Sequence, residues 1–162
     1  MEITKQITVF LENKPGRLAN LLRALERQKV NVTGLTVMDS HEHGVLRFVS
    51  SDVPRTVGVL RELGTSYTEA DVLLVELRNQ PGAIARVCEL LAGEHINIDY
   101  CYCSAGGRNG KTFGIFKVSN NEKALRVLSG PGRNSTKRRV EKRPPRDRRS
   151  YQAIESGRSR GG

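Results

Sequence analysis

Two short stretches, Asn13-Lys14-Pro15-Gly16 and Asn79-Gln80-Pro81-Gly82, hold residue types suited to gripping a small charged molecule. Each stands before a run with the spacing of an amphipathic helix. The first turn of a helix offers unpaired N–H groups and the positive end of its dipole, a natural seat for a carboxylate. Gly16 and Gly82 would let a ligand approach the backbone closely. Asn13 and Asn79 each carry donors and an acceptor, so either can meet an ammonium or a carboxylate. A plainer reading stands beside this one: Pro-Gly makes a turn, and each Asn satisfies loop backbone.

Other candidate motifs are weaker. Ala105-Gly106-Gly107-Arg108-Asn109-Gly110-Lys111-Thr112 approaches a phosphate-binding loop, with Ala in place of the first Gly. That chemistry needs a helix directly after the loop, and Phe113 to Val118 reads as a strand. His41 and His43 flank Glu42 in a polar turn, which suits solvated side chains better than a metal site. Cys101 and Cys103 are too few for a zinc site, and Cys88 falls at a Leu-like helical position. On a strand the two neighbours are expected to point apart, so no disulfide framework is expected, which fits a reducing, cytoplasmic setting. Tyr100 or Tyr102 could line a ligand site. His95 has no nucleophile beside it in any recognisable arrangement. No catalytic residue, metal or cofactor is expected.

The elements that must position these residues emerge from an internal repeat. Shifted by 66 residues, the chain overlays itself. Val30-Asn31-Val32 falls on Ile96-Asn97-Ile98, and Val9 and Leu11 fall on Val75 and Leu77. Leu18, Leu21, Leu22 and Leu25 fall on Ile84, Val87, Cys88 and Leu91, with i, i+3, i+4, i+7 spacing in both copies. Each copy reads as strand, helix, two strands and a second, shorter helix. In the first copy Asp52 caps that short helix, and a fourth strand, 66–70, runs into the first strand of the second copy. The expected fold is α+β, two tandem ferredoxin-like βαββαβ modules. Residues 1–70 form the first and 71–128 the second. The second has no apolar strand after Leu128, which leaves Val72 to Arg78 an open edge unless another element or a second chain covers it.

In this order the residues resemble the ACT domain: a strand, Asn-x-Pro-Gly, a Leu-rich helix, then Val/Ile-Asn-Val/Ile opening the next strand. The resemblance covers roughly residues 3–128, twice in register, and the chain looks like the small stand-alone tandem-ACT proteins. It implies a non-catalytic module that binds an amino acid, often at an interface between modules, and regulates a partner enzyme, commonly as a homodimer. It implies ligand-binding roles for Asn13, Pro15, Gly16 and Asn31, and for Asn79, Pro81, Gly82 and Asn97. In serine-responsive members a contacting His stands two positions before the first Asn. Leu11 and Leu77 stand there in this chain, so the resemblance stops short of that position.

Charge divides the chain differently. Residues 1–128 carry 16 Lys/Arg against 14 Asp/Glu, and residues 129–162 carry 11 against 3. The formal +10 therefore describes a tail expected to be disordered. That tail supports the alternative reading, a nucleic-acid-associated protein with the repeated body as a dimerisation scaffold. The tail lacks interleaved aromatics apart from Tyr151, so base stacking is not suggested. No apolar run is long enough to span a membrane, and the N-terminus lacks the order of a signal peptide.

Overall fold

The two long helices form where the repeat predicts them. In the computed structural model, which describes residues 1–38, 43–104 and 111–130, α1 spans Arg17–Arg27 and α3 spans Ala83–Gly93. Leu21 and Leu25 of α1, and Val87 and Leu91 of α3, are buried. Both helices stop the same way. Lys29 (φ 56°) and His95 (φ 55°) turn left-handed, 66 residues apart. The next amides, of Val30 and Ile96, then donate back to the Leu25 and Leu91 carbonyls at 3.0 and 2.9 Å. The shorter helices, α2 (Val53–Glu62) and α4 (Asn121–Ser129), are capped by Asp52 and Asn120. These side chains accept from the Arg55 and Lys123 amides at 2.9 Å.

The strands are β1 (Glu2–Glu12), β2 (Val32–Met38), β3 (His43–Ser50), β4 (Tyr67–Arg78), β5 (Ile98–Cys103) and β6 (Lys111–Val118). They form one antiparallel sheet in the order β2-β3-β1-β4-β6-β5. The expected fourth strand is the start of β4, which continues without a break as the first strand of the second copy. Among the described residues no strand follows α4. The edge feared open is partly covered from the other end of the chain, because Glu2, Ile3 and Thr4 pair with Leu74, Leu73 and Val72. Each central strand thus has two roles. The first half of β1 completes the second copy, and the first half of β4 completes the first. Lys5 lies opposite Asp71, its own counterpart in the repeat, so the local pseudo-twofold axis passes through that pair.

Ile3 faces Leu73 and Ile7 faces Glu69, so odd-numbered residues of β1 and β4 share one face of the sheet. All four helices cover that face. Ile7, Val9, Leu46 and Phe48 pack against Leu21, Leu25, Val59 and Leu60. Leu73, Val75, Leu77, Phe116 and Val118 pack against Val87, Leu91 and Ala124. The helix-free face buries Val49, Val72, Leu74 and Ile115 with Tyr102 and Phe113 beside them. The sheet curls around this cluster until β2, at one edge, touches β5 and β6 at the other. Gly34 permits the contact, because a Cβ there would lie 2.6 Å from Ile115 Cδ1.

Candidate functional site

Both Asn-x-Pro-Gly stretches fold into the same turn. The Lys14 amide donates to the Glu12 carbonyl and the Gln80 amide to that of Arg78, each at 2.8 Å. Gly16 (φ 86°) and Gly82 (φ 82°) are the N-cap residues of α1 and α3, and neither helix has a side-chain cap. Nothing lies within 4 Å of a Cβ built on either glycine. The left-handed backbone, and not crowding, therefore demands glycine there.

In the first copy this turn roofs a cleft of about 170 Å³. Leu11, Leu18, Val37 and Leu46 form its aliphatic wall, and Asn13 and Gly44 also line it. Glu12, Lys14 and Arg17 ring its charged rim. Arg17 Nη2 meets Glu12 Oε2 at 2.7 Å and Lys14 Nζ meets the same oxygen at 3.1 Å. The Arg17 hydrogen bond foremost, then that of Lys14, holds the Glu12 carboxyl below the ordinary carboxylate range. A second cleft of about 450 Å³ lies on the other side of Glu12 and Arg17, where β1 runs beyond its pairing with β4 and faces Gly64, Thr65 and Ser66. In the second copy, Arg78, Gln80 and Ala83 stand where the first has Glu12, Lys14 and Arg17.

The predicted site residues do not all converge. Asn13, Pro15 and Gly16 share one turn, and Asn79, Pro81 and Gly82 another. Asn31 and Asn97 open β2 and β5, which run parallel to β1 and β4, so each lies at the opposite end of its own module. Val32 is level with Ser50, whereas Glu12 is level with His43, a separation of about 20 Å at the rise of a strand. Followed through Ser50 and Val118, the registers bring Val32 and Ile98 to within two residues of the level of the Lys5–Asp71 pair, so Asn31 and Asn97 lie near the middle of the sheet and the two Asn-x-Pro-Gly turns at its opposite ends. Both strand-opening residues use their backbone alike. The Asn31 amide donates to Ser51 Oγ at 3.0 Å, and that of Asn97 to Ser119 Oγ at 3.1 Å. Ser51 and Ser119 return amide bonds to their carbonyls. The Asn97 side chain also donates to Asp99 at 3.0 Å.

Tyr100 and Tyr102 line neither cleft. They point into the helix-free face, where they hold Gln6, which is fully buried. Gln6 Nε2 donates to the Tyr100 hydroxyl at 2.8 Å, and the Tyr102 hydroxyl donates to Gln6 Oε1 at 3.1 Å. Arg47 stacks 4.1 Å from the Tyr100 ring centre, and burial pushes the Tyr102 phenol well above its ordinary value. The sequence offered no signal for this cluster, because a lone Gln in a strand looks like a surface residue. Glu12, Lys14 and Arg17 were also missed. A carboxylate and an arginine five residues apart across a Pro-Gly turn were the available hint.

One expectation fails outright. Cys101 and Cys103 do not point apart, because residues i and i+2 of a strand share a face. Both lie on the side opposite Tyr100 and Tyr102. They are exposed free thiols, and both are pushed up chiefly by burial, Cys101 further by nearby Cys88 and Cys103. Among the described residues no three His, Cys, Asp or Glu side chains gather as metal ligands. The His41–Glu42 turn, residues 105–110 of the phosphate-loop-like stretch and the basic tail from 131 lie outside the described residues. No helix among the described residues is long and apolar enough to cross a membrane.

A family model, the ACT domain pair, matches residues 1–130. Among solved structures, protein BT0572 from Bacteroides thetaiotaomicron is 31% identical, with a TM-score of 0.71 over 78% of this chain and 86% of that one. The ligand-free regulatory subunit of aspartate kinase from Thermus thermophilus shares the fold at 17% identity and a TM-score of 0.58, covering 79% of this chain and 95% of that one. A structure of aspartokinase alpha and beta subunits does so at 22% and 0.53, over 79% and 95%. No curated protein sequence matches.

Proposed function

The chain belongs to the ACT domain pair family, and from that premise we propose that it is a non-catalytic regulatory protein whose effector is a free amino acid. The observation that carries this reading is the first-copy cleft. A helix N-terminus without a side-chain cap, a left-handed Gly16 and Asn13 stand beside a rim holding one carboxylate and two cations. A zwitterion needs that set of partners, an acceptor for its ammonium and donors for its carboxylate. In this reading Asn13, Pro15 and Gly16 form the site in the first module, residues 1–70. Asn79, Pro81 and Gly82 form its counterpart in the second, residues 71–128. Asn31 and Asn97 lie away from both turns, and reach a ligand there only from a second copy of the chain. The fold shared with aspartate kinase regulatory subunits supports a partner enzyme as the target.

The test is thermal unfolding of the full chain against the twenty amino acids. A ligand at 100 times its dissociation constant adds about 2.7 kcal/mol, a rise in midpoint of roughly 5–10 °C at about 2–4 °C per kcal/mol. One amino acid should produce that rise in a concentration-dependent way, and Asn13→Ala should abolish it. A flat response in a chain that unfolds cooperatively overturns the reading. The tail's charge supports a second reading, nucleic-acid association, which predicts salt-sensitive RNA or DNA binding that disappears when residues 129–162 are removed.

A further inference from the structure

We infer that the effector is an apolar α-amino acid bound in the first copy alone, with its side chain in the cleft and its charged groups exchanged into the ion pairs of Glu12. The inference rests on the amino-acid reading above and sharpens it.

The wall decides the side chain. Leu11, Leu18, Val37 and Leu46 present aliphatic carbon, and Val37 is half exposed at the mouth. A polar side chain placed against them would lose water without gaining a hydrogen-bond partner. The cleft is small, about 170 Å³. That admits a side chain the size of valine, leucine or methionine with its Cα, and leaves the ammonium and carboxylate at the rim.

The rim decides the rest. Both cations lean on one oxygen of Glu12. An incoming ammonium can take their place on the carboxylate, and the freed Arg17 and Lys14 then face the ligand's carboxylate. The two ion pairs on Glu12 become three, one to the ligand's ammonium and two to its carboxylate, so no charge is left unpaired.

The second copy cannot repeat this. Arg78 replaces the carboxylate and Ala83 replaces the fork of Arg17. The strand registers put Gly114 where the first copy has Leu46, since Val9 faces Leu46 and Val75 faces Gly114. A Cβ on Gly114 would lie 2.6 Å from Phe116 Cε2 and 3.1 Å from Leu77 Cδ1. The protein's own side chains therefore fill the space over Gly114, the equivalent of a wall position in the first copy.

The experiment is titration calorimetry of the full chain with L-leucine, L-valine, L-methionine, L-serine, L-aspartate and L-lysine, and with 4-methyl-2-oxopentanoate, which keeps the leucine side chain but lacks the ammonium. We expect one apolar amino acid to bind at least tenfold tighter than the three polar ones, at one equivalent per chain. The oxo acid should bind at least tenfold more weakly. Glu12→Gln and, independently, Arg17→Ala should weaken binding at least tenfold while both variants still melt cooperatively. Tighter binding of serine, aspartate or lysine overturns the inference and leaves the amino-acid reading standing. Two equivalents per chain overturn the single-copy assignment. Unchanged affinity in folded Glu12→Gln overturns the role of the rim. Failure of all six amino acids to bind overturns this inference, and only a flat response to all twenty in the melting screen overturns the amino-acid reading beneath it.

Discussion

The two halves of this protein share a backbone and differ in what their side chains do. Positions that satisfy backbone are repeated with little change. Gly16 and Gly82 turn left-handed before a helix, and Lys29 and His95 do so after one. Ser51 and Ser119 clamp Asn31 and Asn97, and Asp52 and Asn120 cap the short helices. Positions that meet across the pseudo-twofold axis diverge. The counterpart of Tyr100 is Gly34, and by register the counterpart of Arg47 is Ile115. Arg47 stacks on Tyr100, and Ile115 packs on Gly34. One geometric contact is thus made twice, once as a cation on a ring and once as a methyl on bare backbone. At the axis a symmetric dimer would oppose identical residues. The tandem chain places Lys5 against Asp71 at 2.9 Å. Two halves in one chain can place complementary pairs where two identical chains would meet like with like, and one copy has Glu12 where the other has Arg78.

The comparison is most severely tested by equal damage to both cores. Leu25→Ala and Leu91→Ala should each cost about 2–5 kcal/mol, and each variant should still unfold in a single denaturant transition, because β1 and β4 belong to both halves. Two separated transitions would show that the halves fold alone. Gly34→Val comes next, at about 1–3 kcal/mol of overpacking. Ile115→Ala in the same chain should recover part of that loss, whereas Arg47→Ala should not. Absence of this selective recovery in a double-mutant cycle would remove Gly34 from the curl contact. Smaller gains should follow from Lys29→Gly and His95→Gly. Each relieves a left-handed residue whose strain is about 1–2 kcal/mol, partly offset by the glycine's extra freedom when unfolded. Similar increases in both halves would confirm the shared helix stop. The least effect belongs to the exposed axis pair. Asp71 raises the Lys5 pKa, so the pair's contribution is complete at neutral pH and is lost as pH rises through the raised lysine value. Lys5→Asp alone should lower the melting midpoint slightly, and the exchanged pair Lys5→Asp, Asp71→Lys should restore it.

Much of the fold was legible because its signals are local. Helix periodicity at Leu18 to Leu25 and at Ile84 to Leu91, the Pro-Gly turns and the Asp52 cap each depend on residues within one or two turns of chain. Gly16 and Gly82 were legible for the same reason, although what requires glycine there is backbone conformation and not close approach. The cleft was only half legible. Leu11 to Leu18 are contiguous, but Val37 and Leu46 join them through strand register.

By itself the sequence determined two copies of one supersecondary pattern, where their helices begin, and which residues hold the turns, since these follow from hydrogen bonds and periodicities that close within a few residues. Tertiary structure alone decided that the first residues of the chain complete the second copy, that Gln6 lies buried between two tyrosines, and that Val37 and Leu46 join Leu11 and Leu18 along one cleft while side chains fill the space over Gly114 in the other copy. Those outcomes depend on the pairing of segments some 66 residues apart and on the curl of one shared sheet. Register is the sum of many weak cross-strand preferences, and no single residue announces it.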